Sequence, residues 1–123
     1  MQLLLWDFTV TRPDEKINNQ VYYKRDLPAK DKGSVAINIK NLPAGKYKLT
    51  VYKTGYRAND AYSSYLDLGS PNQLTRQQVA AIKQKSNDTP YVNKTVTIGP
   101  DRSYRDEFKL RENDVLLVTI NKL

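Results

Sequence analysis

The sequence has no cysteine and no histidine. Those two absences exclude imidazole and thiolate nucleophiles, Ser-His and Cys-His catalytic sets, zinc fingers, haem held by His or Cys, and any disulfide scaffold. A cysteine-free chain is compatible with the cytoplasm, the periplasm or secretion, so the compartment stays open. Long apolar runs are also missing. No stretch approaches the ~18 residues of a membrane span, and no membrane partner is expected. The start carries no basic flank, apolar h-region or small-residue cleavage site of a secretory leader. Strand-like sequence begins at once with Leu3-Leu4-Leu5-Trp6, as in a fragment whose N-terminus lies upstream.

Positive charge is in excess but nowhere concentrated. The 20 Lys and Arg outnumber the 13 Asp and Glu, for a net charge of +7. They are scattered along the chain rather than gathered into a phosphate-tracking run, and no nucleic-acid partner is expected. Glutamate is scarce, with only Glu15, Glu107 and Glu112. Glu15 and Glu112 adjoin turn signals, where a solvated side chain is the default. Glu107 follows Asp106 in a strand, which sends neighbouring side chains to opposite faces and keeps the two carboxylates apart. No catalytic residue is therefore assigned within the chain. Asp60, Asp67 and Asn59 are oxygen donors of the kind calcium takes, but the EF-hand spacing is missing. They read as side chains that satisfy backbone donors of a long loop, and no metal or cofactor is expected. Asn87-Asp88-Thr89 and Asn93-Lys94-Thr95 match the glycosylation acceptor pattern, which is too short to carry weight.

What is present is period-2 alternation. The 123 residues and 14.1 kDa fit a single domain, residues 1–123, large enough to bury about two-thirds of its unfolded surface. Residues 3–10 form a first strand with Leu4, Trp6, Phe8 and Val10 on one face and Leu3 and Leu5 on the other, its opening covered on both sides. A short strand is expected at residues 20–24, and Asp31-Lys32-Gly33 then breaks the chain. Val35, Ile37 and Ile39 alternate with Ala36, Asn38 and Lys40, and Tyr47, Leu49 and Val51 alternate with Lys46, Lys48 and Thr50 after the Leu42-Pro43-Ala44-Gly45 turn. Three more strands carry Val92, Val96 and Ile98; Tyr104, Phe108 and Leu110; and Leu116, Val118 and Ile120. The fold class is all-β: an immunoglobulin- or fibronectin-III-like sandwich of about six to eight antiparallel strands. One short helix interrupts it within the long connection 55–90. Thr75 is its N-cap, Gln78 completes a capping box, Leu74 is placed to staple against Val79, and Ser86-Asn87-Asp88 ends it after about ten residues.

The informative cluster is aromatic. Tyr52, Tyr56, Tyr62 and Tyr65 fall at a strand exit and in the long loop, close to Arg57, Asn59, Asp60 and Asp67. Tyrosine, arginine and amide side chains together suit a sugar ring or a protein partner, and they equally suit a roof over the sandwich with its hydroxyls in water.

The run from Gly55 through Tyr56, Arg57, Asn59, Asp60, Tyr62, Tyr65 and Asp67 to Pro71 resembles the corresponding loop in the C-terminal β-sandwich of family 39 glycoside hydrolases, the β-xylosidase-like group. Three further pieces agree in the same order: Asn19-Gln20-Val21-Tyr22-Tyr23 with Asp26-Leu27-Pro28-Ala29 behind it, Leu42-Pro43-Ala44-Gly45-Lys46-Tyr47, and Leu110-Arg111-Glu112-Asn113-Asp114-Val115. The resemblance implies an accessory domain of a retaining glycosidase, bacterial and periplasmic or secreted. Catalysis in that family belongs to two glutamates on a (β/α)8 barrel of about 250 residues, for which this chain has no room. The implied partner is that barrel, with Tyr56, Arg57, Asn59, Asp60, Tyr62, Tyr65 and Asp67 as candidates for the domain interface or for contact with carbohydrate. The alternative is an independent carbohydrate-binding module that uses exposed tyrosines.

Overall fold

The computed structural model describes residues 1–9, 26 and 28–123. Among them six strands and two helices run in the order β1 (Gln2–Trp6), β2 (Asp31–Ile39), β3 (Gly45–Thr54), α1 (Ala61–Asp67), α2 (Arg76–Lys85), β4 (Val92–Ile98), β5 (Tyr104–Arg111) and β6 (Val115–Lys122). One sheet has four strands in the order β1-β6-β3-β4, the other pairs β2 with β5, and every pairing is antiparallel. This is the all-β sandwich that the alternation predicts. The strand expected at residues 20–24, and Val10, lie outside the described residues.

The alternation decides what is buried. From the larger sheet Tyr47, Leu49, Val51, Ile98, Leu116, Val118 and Ile120 point inward, and Ile37, Phe108 and Leu110 meet them from the smaller one. Leu49, Val51 and Val118 are wholly buried. Turn chemistry carries the chain from β2 in the smaller sheet to β3 in the larger one. Gly45 takes a φ of +144° after Pro43, and the Tyr47 hydroxyl donates back to the Pro43 carbonyl at 2.8 Å.

Three sequence expectations need correction. The first strand ends at Trp6 and is covered on one side only: Leu3 and Leu5 face the core, while Leu4, Trp6 and Phe8 are exposed. Leucines on both faces left the inward face undecided by pattern. Asp31-Lys32-Gly33 does not break the chain but opens β2, with a register shift between Asp31 and Gly33. There the Gly33 amide donates to Asp31 Oδ1 at 2.8 Å, and φ at Gly33 is +89°. The long connection holds two helices rather than one. The expected helix is α2, with the full Thr75/Gln78 capping box and Ser86 as its C-cap. The unexpected one is α1, seven residues capped by Asp60.

Candidate functional site

The loop begins where β3 leaves the sheet. Lys53 lies on the inward row of Tyr47, Leu49 and Val51, and its ammonium reaches Asp114 Oδ2 at 2.8 Å. Asp114 is completely buried. Arg111 forks onto the same carboxylate, Nε to Oδ2 and a terminal nitrogen to Oδ1, both at 3.1 Å, and its backbone amide adds a bond at 2.9 Å. Burial pushes the Asp114 carboxyl up, but the hydrogen bonds from Arg111 and Lys53 outweigh it and hold the group below the usual carboxylate range. Arg111 then ties the loop to this centre by donating to the Tyr56 carbonyl at 2.8 Å.

The close packing needs a glycine. A Cβ on Gly55 would sit 2.2 Å from Asp114 Oδ1. Gly55 and Ala58 exchange backbone hydrogen bonds across a tight turn, and Arg57 and Asn59 adopt left-handed φ values of 55° and 49°. The Asn59 amide donates to the Lys53 carbonyl at 2.8 Å, which pins the turn to the end of β3.

Above the turn, Arg57 gathers three partners. Its Nε donates to the Tyr56 hydroxyl at 3.0 Å, one terminal nitrogen donates to both Asp67 oxygens at 3.0 and 3.1 Å, and the other reaches Asp26 at 3.0 Å. The Tyr56 hydroxyl donates in turn to Asp26 Oδ2 at 3.0 Å. These bonds, from Tyr56 first and then the two carboxylates, raise the guanidinium's already high pKa. Asp60 caps α1 through the amides of Tyr62 and Ser63, and it also accepts from the Ser63 hydroxyl and the Arg57 amide. Partial burial pushes the Asp60 carboxyl up, yet those hydrogen bonds prevail and lower it. An acid held ionised in this way is not poised to deliver a proton at neutral pH.

Of the seven candidates, the fold therefore brings Tyr56, Arg57 and Asp67 into one cluster and joins Asp60 to it through the Arg57 amide. Asn59 serves the backbone, and the Tyr65 hydroxyl donates to the Pro71 carbonyl at 3.1 Å. Tyr62 is left exposed. A groove of about 270 Å³ runs beside them, lined by Arg57, Asn59, Asp60, Ser63, Ser64, Asp67 and Lys85, with no aromatic ring in its wall. A second, of about 460 Å³, lies between Lys53, Arg57, Tyr91, Lys109 and Arg111. Among the described residues no group of three acidic side chains could hold a metal ion, and no helix is long and apolar enough to cross a membrane. Sequence reasoning missed the Lys53-Asp114-Arg111 centre. The signal was available, since strict alternation along β3 places Lys53 inward and a buried ammonium requires an anion.

No family model matches the sequence, and no curated protein does. Solved structures do. The family 39 glycoside hydrolase from Xanthomonas axonopodis pv. citri is 34% identical over 99% of this chain, with a TM-score of 0.88. A monomeric β-xylosidase from Caulobacter crescentus CB15 is 32% identical over 99%, with a TM-score of 0.86. The bacterial orthologue of human α-L-iduronidase, at 10% identity and a TM-score of 0.62 over 73% of the chain, shares the fold alone. The chain spans 24% of the length of each of the first two. Sequence and fold agree over almost the whole of this chain, which corresponds to the C-terminal β-sandwich domain of family 39 glycoside hydrolases and to about a quarter of their length.

Proposed function

We propose that the chain, residues 1–123, is a non-catalytic accessory domain that packs against and stabilises the (β/α)8 barrel of a retaining glycoside hydrolase acting on xylosides or related plant-type saccharides. The observation that carries this reading is the pair of relatives matched over 99% of this chain and 24% of theirs. The candidate loop supports it chemically. Its carboxylates are committed to Arg57 and to the α1 cap, so they brace the domain rather than attack a glycosidic bond.

An independent carbohydrate-binding module is the second reading, and exposed Tyr62 favours it. Calorimetric titration of xylo-oligosaccharides into the 123-residue chain separates the two. The accessory reading expects no saturable heat; saturable binding that Tyr62→Ala abolishes would replace it with the module.

A further inference from the structure

The outer face of the four-stranded sheet carries an apolar row. Leu4 stands opposite Leu117, Leu117 opposite Tyr52, and Trp6 opposite Val115, so the row crosses three strands. Leu4, Trp6 and Val115 are 55%, 61% and 38% exposed, and Phe8, just past the strand, is 79% exposed. Phe8 is not a loose end. On one side of it Asp7 N donates to the Asp114 carbonyl at 3.1 Å and Asp7 Oδ2 accepts from Asn113 N at 3.1 Å. On the other, Thr9 N donates to Asn113 Oδ1 at 3.0 Å. The backbone that carries this ring is thus tied on both sides to the β5–β6 turn.

Together these side chains expose on the order of 500 Å², at the upper end of what a monomer's largest apolar patch reaches. The row contains no charged residue, in a chain of net charge +7. Large aromatic side chains on a backbone fixed before a partner arrives suit the centre of a stable interface, because less freedom is lost on docking.

We infer that this face, anchored by Trp6 and Phe8, is the seat of the parent enzyme's catalytic domain; the inference rests on the accessory-domain reading. In the relatives this fold is 24% of the chain, so most of each enzyme lies outside it and needs a surface to meet. The competing surfaces are poorer. The polar groups of the Arg57 loop are already bonded to one another, and α2 places Arg76 and Lys83 about one turn either side of its exposed Val79.

Hydroxyl-radical footprinting of the 123-residue chain, and of the longer polypeptide that carries it with its catalytic domain, tests the assignment. Oxidation of Trp6 and Phe8 is expected to fall roughly tenfold in the longer polypeptide, as for residues at an interface core, while Tyr62 is unchanged. The double variant Trp6→Ser, Phe8→Ser should leave the melting temperature of the 123-residue chain as it was and lower that of the catalytic domain in the longer polypeptide. Equal oxidation of Trp6 and Phe8 in both, with protection at Tyr62 instead, would overturn this face and leave the accessory reading standing. A longer polypeptide with no glycosidase domain would overturn the accessory reading itself. Sedimentation of the 123-residue chain as a dimer that the double variant dissociates would assign the face to a second copy, against the inference.

Discussion

Gly55 has no side chain, and the space beside its Cα is taken by the Asp114 carboxylate. Gly55→Ala forces that carboxylate away from Lys53 or Arg111, or moves the turn. A loss of about 3 kcal/mol is expected in urea unfolding, the size of effect that follows when a buried ion pair is disrupted. Asp114→Asn removes the anion beneath two cations and should cost at least as much at neutral pH. Its pH dependence is the sharper readout. The Asp114 carboxyl is lowered in the folded chain, so its contribution is complete above the unfolded value near 4 and is lost as the pH falls through the lower folded value. Chemical unfolding between about pH 5 and 2 should therefore show a steeper loss of stability for the unaltered chain than for Asp114→Asn. Parallel acid limbs would contradict the assignment.

At the scale of elements, sheet and helices answer to different forces. The strands are held by inward rows such as Tyr47, Leu49 and Val51, so Leu49→Ala should destabilise the whole domain by about 3 kcal/mol. Helix α2 buries none of its residues and depends on local chemistry, its capping box above all. Thr75→Ala is expected to weaken that helix by about 1 kcal/mol, seen as faster amide exchange across residues 78–82 with little change in the melting temperature. Sequence pattern revealed the elements in proportion to how differently their two faces are made. Strand β3 sets Tyr47, Leu49 and Val51 against Lys46, Lys48 and Thr50, and α2 carries its cap in four letters, Thr75 to Gln78. Strand β1 offers Leu3, Leu4, Leu5 and Trp6, apolar on both sides, and periodicity cannot say which side the core takes. Helix α1 is only seven residues of mostly Tyr and Ser, weak helix formers in a stretch too short for a period. Its one signal was Asp60, an N-cap residue whose side chain meets the amides two and three residues on.

At the scale of the whole molecule, the candidate site changes character. The sequence placed Tyr56, Arg57, Asp60 and Asp67 near one another but not the direction of their bonds, and those bonds turn inward to one another, to Asp26 and to the cap of α1. The surface left without partners among the described residues is instead the apolar outer face of the larger sheet, which in sequence looked like ordinary strand interior. The committed carboxylates of the Arg57 loop and the outward apolar face both support the proposed accessory role. The direct test is the rate of aryl-xyloside hydrolysis by the 123-residue chain, and by the longer polypeptide with and without it, before and after heating. The account predicts no turnover by the chain, and activity in the longer polypeptide that survives removal of the chain at room temperature but decays faster on heating. Hydrolysis at an enzymatic rate by the 123 residues alone would contradict it.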